Sequence, residues 1–527
     1  MRGTLCVFWS LAELIIDIDQ LLKLLAVAGY CGVLLLIGWL ASRRTHSIRD
    51  YFAADKKLGF INVAFSSRAT GESAWLLLGL TGTGFALGVQ GFWIVLGEVI
   101  GVAGAWLLMA KRFKRLTDRY DAITVPDYLE ARLRDTGHWL RLIAAGALIV
   151  FVPIYAGSQV FATGKAFNSF LGWNHFLGAS VGFLVVLLYI TRGGFLAVVW
   201  SDVFQGSLML LGLVLLPIIG ILEAGGITTI VETLRQASPE HLSLTNGNPW
   251  NLATVTTIIG FAAIGIGFLG SPQVFIRFIS LRSERELGKG VAVALIWTLL
   301  ADSGAVLVGV VGRSLFTGAQ IGGDADNILP FMSQTLLPAF FAGVYIAMVL
   351  SAIMSTVDSL LVVASSAAVR DYWQRTRRPD MRDDQLVRLS QRATMALALV
   401  SFAIGIGILL YNKDEGVFWV IIFGWSGIAA TFCPVVILSL FWSRLTALGA
   451  RVGMVAGFAA VVLLKFVVPP VLTSLGWDEA NETLTNIDVL LPSFLVSAVA
   501  AIAVSLVDRT GQARLGGVAD ELREAGA

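Results

Sequence analysis

Runs of about twenty consecutive apolar residues recur along the whole chain, and they leave few folds open to it. Such a run covers the roughly 30 Å of hydrocarbon in a bilayer. Inside lipid every backbone polar group must find its partner within the protein, so runs of this length are read as helices. Charged residues make up only 14% of the sequence, against about 25% in an ordinary soluble chain. The expectation is an all-α polytopic membrane protein with about thirteen transmembrane helices, near 20–42, 59–88, 91–111, 140–165, 175–191, 194–222, 250–280, 287–312, 334–366, 391–412, 416–442, 449–474 and 488–508.

Charge placement gives the orientation. Basic residues concentrate in alternate connections: Arg43, Arg44 and Arg49; Lys111 to Arg134; Arg282 and Arg285; Arg370 to Arg388, including Arg375 and Arg377; Arg444 and Arg451; and the tail with Arg509, Arg514 and Arg523. The intervening loops, such as YNKDEG with Lys413 and Asp414, are poor in them. Cytoplasmic loops carry the excess of Lys and Arg. With an odd number of spans, the N-terminus lies outside and the C-terminus in the cytoplasm, as expected for a multi-pass protein of the cell membrane. The first residues, about 1–19, lack a small-residue cleavage site and read as a short interfacial segment rather than a signal peptide.

A net charge of +2 gives no reason to expect nucleic acid as a partner. Cys6, Cys31 and Cys433 show no close spacing, and the four histidines do not cluster, so neither a disulfide frame nor a metal enzyme is expected. No cofactor is called for. Trp93 and Trp442, near span ends, read as interfacial anchors.

Two spans look broken. The second contains RATGES inside an apolar run, and the seventh contains GIGFLGSP. A break at membrane depth is tolerated only where the freed backbone is buried or lines a cavity. Broken helices at matching positions in two halves, 59–222 and 250–442, point to an inverted-repeat transporter. Residues 1–58 would be a leading segment with the first helix, and 443–527 two peripheral helices with a tail.

Five stretches, in order, are similar to one family: ESAWLLLGLTG, ITVPDYLEARL, TRGGFLAVVWSDVFQGSLML, GSPQVFIRF and AIMSTVDSLLVVASSAAVRDYW. Together they resemble the sodium:solute symporter family, and its sodium/proline symporters in particular, over about residues 45–450. The resemblance implies a LeuT-type 5+5 inverted repeat with an extra N-terminal helix. It also implies Na+ as the coupling ion, a small-molecule substrate such as L-proline or another small amino acid, and lipid as the surroundings.

Ser355, Asp358 and Ser359 fall on one helix face, with Thr356 beside it. Sodium is a hard cation that takes oxygen ligands, although Ser and Thr also commonly bond back to their own helix. The resemblance implies a sodium site at the hydroxyls of Ser355 and Thr356 and the carbonyls of Ala69, Glu72 and Ala352. The resemblance to symporters that bind two sodium ions implies a candidate second cation site at Asp202 with Ser355, Asp358 and Ser359, and two carboxylates facing one cavity would repel unless a cation or proton intervenes. The substrate would meet Thr70, Gly71, Ser73 and Ala74 at one break and Phe268, Gly270 and Pro272 at the other, with Tyr155 from the fourth span.

Arg68 and Glu72 stand at i, i+4. Proline symporters carry an aspartate where this chain has Gly71 and a small residue where it has Arg68. Three readings stay open: Glu72 replaces the missing acid, Glu72 only neutralises Arg68, or the coupling differs. Ile264 and Phe268 stand where those symporters have Trp and Tyr, which makes the pocket less polar and questions proline itself. Glu98 and Asp302 read as acids paired with a neighbouring helix or facing water. The alternatives to sodium-coupled amino-acid symport are a sodium- or proton-coupled symporter of another solute, such as a monocarboxylate, or a transporter-like membrane sensor. A channel or an intramembrane enzyme has less to support it, since no span carries a nucleophile, base and orienting group.

Overall fold

The computed structural model describes residues 18–44, 47–374, 378, 380–412 and 415–527, with the backbone alone at 48 and 188–193. The expected N-terminal interfacial segment up to residue 17, and Arg375, Arg377, Lys413 and Asp414, lie outside the described residues. Among those described, the molecule is helical throughout, and one isolated parallel bridge, Leu58 to Leu281, is its only β-type pairing.

Eleven stretches are long and apolar enough to cross a bilayer among the described residues. The expected spans 59–88 and 175–191 do not stand among them as separate long helices, for two local reasons. The first is interrupted. Helix α1 (Phe60–Gly71) stops at Glu72, which is extended at φ −93°, ψ 122°, and helical structure resumes at Trp75. The second begins as the short apolar helix His175–Leu187, and the chain kinks at Gly194, with φ 57° and ψ −163°. A Cβ at Gly194 would come within 2.8 Å of the Tyr51 ring, so both the backbone angle and the space call for glycine there.

The other expected break is also present. A tight helical turn, Ile264–Leu269, ends at Gly270, and helix α2 (Pro272–Ser280) begins with proline at its first position. Proline has no N–H to leave unsatisfied at a helix start. The two interrupted segments are tied together at one end: Leu58 N–H donates to Ser280 O at 3.0 Å, and Arg282 N–H donates to Leu58 O at 2.9 Å.

Helix α3 (Ala339–Ser366) forms the centre, and nearly all its residues from Ala342 onward are buried. It packs against α1, the first span Ile18–Ser42, the long helix Trp139–Leu171 and the span 194–223. The peripheral helices Asp383–Tyr411 and Leu490–Val507 instead expose Leu399, Val400, Leu495 and Val499. This is the expected face for lipid. Helices Ala447–Phe466 and Leu490–Val507 approach closely along Gly449, Gly453 and Gly457, which lie against Ser505, Ala501 and Ser497. Small residues spaced by four allow such close approach where lipid supplies no hydrophobic drive.

Candidate cation and substrate site

The break after α1 leaves the last carbonyls of that helix without partners of their own. Helix α3 supplies hydroxyls to them. Ser355 Oγ donates to Ala69 O at 2.8 Å and lies 3.1 Å from Ala352 O. Thr356 Oγ1 lies 3.2 Å from both Thr70 O and Glu72 O. The five expected oxygens thus fall into two groups on neighbouring residues of α3: Ser355 Oγ with the carbonyls of Ala69 and Ala352, and Thr356 Oγ1 with the carbonyl of Glu72. Thr70 O is an additional neighbour. All these residues are buried. A neutral, all-oxygen set of this kind suits a hard monovalent cation.

Asp202 lies beside Thr70, with Oδ2 3.5 Å from its hydroxyl, and its surroundings differ from the expectation. The guanidinium of Arg277, on α2, donates to Asp202 Oδ2 at 3.1 Å, to Thr70 Oγ1 at 2.6 Å and to Ser359 Oγ at 2.5 Å. Ser66 Oγ donates to the same carboxylate oxygen at 2.5 Å. Asp358 accepts from Ser359 Oγ at 3.2 Å. A fixed cationic side chain thus stands where Asp202, Asp358 and Ser359 meet. The sequence reading missed Arg277, although an arginine inside the apolar GSPQVFIRF stretch signals a buried partner.

The expected substrate residues divide into groups. The Phe268 ring lies against Gly71, and a Cβ there would come within 2.7 Å of its Cζ. Phe268 packs on Trp425 with ring centres 5.1 Å apart, and Trp425 meets Tyr155 at 6.3 Å. Ala74 N–H donates to Gln159 Oε1 at 3.1 Å, and Gln159 Nε2 donates to Ser73 Oγ at 3.1 Å. Gly71, Ser73, Ala74, Tyr155 and Phe268 are therefore linked through Trp425 and Gln159, two residues that carry no distinguishing signal in the sequence. Thr70 turns its hydroxyl to Arg277 and Ser359, whose hydroxyl is 2.8 Å away. Gly270 packs on the backbone of Cys433, and Pro272 opens α2.

Arg68 and Glu72 form an ion pair, because the helix stays intact to Gly71 and the Glu72 N–H still bonds to Arg68 O at 2.9 Å. Arg68 Nη2 is also 3.6 Å from Glu98 Oε2, and its guanidinium sits 4.5 Å over the Phe268 ring. Asp302, on Glu284–Leu315, joins the same cluster. Glu98 and Asp302 are thus buried rather than facing water, and Glu98 pairs with Arg68 of α1, as the expectation of a partner on a neighbouring helix had it.

A sequence profile of the sodium:solute symporter family matches residues 51–457. The chain belongs to the sodium:solute symporter family. It is 34% identical to the high-affinity proline transporter PutP of Bacillus subtilis over 82% of this chain and 89% of that one. It is 30% identical to the sodium/proline symporter of Escherichia coli over 92% of this chain and 93% of that one. Its fold is that of a Na+-coupled sialic acid symporter in a substrate-bound outward-open state, with a TM-score of 0.76 at 20% identity over 92% of this chain and 98% of that one.

In this sodium:solute symporter Arg68, Gly71, Ile264 and Phe268 sit together. Gly71 makes room for Phe268, Phe268 lies under Arg68, and Ile264 O accepts from Trp425 Nε1 at 3.1 Å. The indole of Trp425 packs beside Ile264 and Phe268.

Proposed function

We propose that the protein imports L-proline or another small amino acid together with Na+, by alternating access across the cell membrane. The observation that carries this reading is the meeting of the Ser355 and Thr356 hydroxyls with the carbonyls of Ala69, Glu72 and Ala352 at an interrupted helix. A sodium ion there would link α1 to α3 and so favour the arrangement in which the break is closed around substrate. Each ligand then raises the affinity for the other, since coupling between two sites is reciprocal.

The substrate would occupy the space bounded by Gly71, Ser73, Ala74, Tyr155 and Phe268, with Thr70, Gly270 and Pro272 at its margins. In this reading 59–222 and 250–442 are the two halves that rock against each other, the basic connections face the cytoplasm, and the N-terminus lies outside. Asp202, Ser355, Asp358 and Ser359 remain the candidate second cation site, but Arg277 already supplies positive charge to Asp202. That favours one sodium at Ser355–Thr356 over a second beside Asp202.

A second reading has a specific observation behind it. The aromatic wall at Phe268, with Ile264 beside it, suits a less polar solute such as a monocarboxylate. Uptake of labelled proline, other small amino acids and monocarboxylates into proteoliposomes, under a sodium gradient, a proton gradient or neither, separates the two. Accumulation of proline only with inward sodium supports the first reading. Accumulation driven equally by protons alone overturns sodium coupling.

A further inference from the structure

Glu72 stands at the break after α1, Glu98 and Asp302 on two other helices, and each is fully buried. One carboxylate oxygen from each lies within 4.8 Å of those of the other two. A cation at their centre would sit about 2.3–2.6 Å from oxygen ligands, as calcium does, and sodium is of similar size. Arg68 is the cluster's one fixed positive charge; it pairs with Glu72, and its Nη2 lies 3.6 Å from Glu98 Oε2. Both oxygens of Glu98 and both of Asp302 lack any hydrogen-bond donor. Taking a carboxylate out of water costs several kcal/mol unless it is paired. Here three buried carboxylates share one guanidinium, whose Nε and Nη1 also lack an acceptor, so a single positive charge stands against three acids.

We infer that Glu72, Glu98 and Asp302 form a second sodium site, distinct from the oxygens at Ser355 and Thr356. The ion is held by Glu98 and Asp302, with Glu72 as the third ligand and Arg68 keeping its pairing with Glu72. Glu72 belongs to both sites: its carbonyl lies 3.2 Å from Thr356 Oγ1, and its carboxylate enters the cluster. Filling either site therefore fixes the conformation of the residue at the helix break that the other one needs. The two ions bind cooperatively through one residue.

The test is equilibrium binding of radioactive sodium to the purified full-length protein. The wild type is expected to bind two ions with a Hill coefficient near two. Asp302→Asn and Glu98→Gln each bind one, with a coefficient of one. Ser355→Ala with Thr356→Ala also binds one, and the combined variant binds none. Wild-type stoichiometry in folded Asp302→Asn and Glu98→Gln overturns the inference and leaves the Ser355–Thr356 reading intact. Should the carboxylate variants fail to fold, the wild type still answers. Sodium is expected to slow carbodiimide modification of Glu98 or Asp302 several-fold, located by mass spectrometry, and to do so in the Ser355→Ala, Thr356→Ala protein too. An unchanged rate, or protection by calcium and not by sodium, sinks the proposal.

Discussion

Arg277 and Asp202 stand 75 positions apart in the chain and form a fully buried ion pair, with Nη2 3.1 Å from Oδ2. The pair joins the second interrupted helix to the span 194–223. Removing one member strands the other charge, and breaking a buried pair costs about 3–5 kcal/mol. Asp202→Asn and Arg277→Leu are each expected to lower the thermal midpoint in detergent markedly. The double variant Asp202→Asn, Arg277→Leu should lose less than the sum. Strict additivity would show that the pair is not coupled.

Ser355→Ala and Thr356→Ala each delete one neutral oxygen from the proposed sodium site. A hydrogen bond to a charged group is worth about 1.5–3 kcal/mol, and we take that as the scale for one hydroxyl ligand. The sodium concentration for half-maximal uptake should rise at least about tenfold for each. The substrate KM at saturating sodium should change far less. A substrate KM that rises in parallel would place the hydroxyls in substrate contact instead.

Gly71 is hemmed in by Phe268. Overpacking costs about 1–3 kcal/mol, so Gly71→Ala should depress uptake strongly. Phe268→Ala in the same chain should restore part of it by removing the ring that clashes. If Gly71→Ala is silent alone, the close approach of the two interrupted helices has no bearing on transport.

The C-terminal helix Val518–Gly526 docks on the basic segment 110–119, burying Val518, Leu522 and Ala525. Arg134 Nη2 donates to Glu521 Oε1 at 2.6 Å, Tyr120 donates its hydroxyl proton to the same carboxylate, and Arg119 Nη1 donates to Glu524 Oε2 at 2.6 Å. Burial alone would raise the Glu521 pKa, but the Tyr120 hydroxyl and the Arg134 charge outweigh it and hold the carboxyl below its ordinary value. A depressed acid pKa stabilises the docked form above the free glutamate value, about 4.3, and that contribution is lost as pH falls through the lower, docked value. Hydrogen exchange across 518–526 is therefore expected to quicken, relative to the rest of the protein, as pH drops below about 4. Glu521→Gln should remove the pH dependence. Exchange that stays uniform across that range would show that the carboxylate does not hold the tail.

Much of this protein could be read locally, and for a plain reason. Span length, the polar RATGES insert, the glycines before Pro272 and the spacing of Ser355 and Thr356 are properties of neighbouring residues, and helices translate such spacing directly into faces and breaks. Even the carbonyl partners at Ala69 and Glu72 followed once a family resemblance was in hand. What required the folded molecule was the remaining pairings between distant helices. Arg277 reaches Asp202, Glu98 meets Asp302, Trp425 packs on Phe268 at the second break and Gln159 closes on the first because helices about 75 to 200 residues apart in sequence pack side by side. A buried charge announces from sequence that it needs a partner. Which partner it finds depends on how each helix is rotated and tilted against its neighbours, and only tertiary packing decides that.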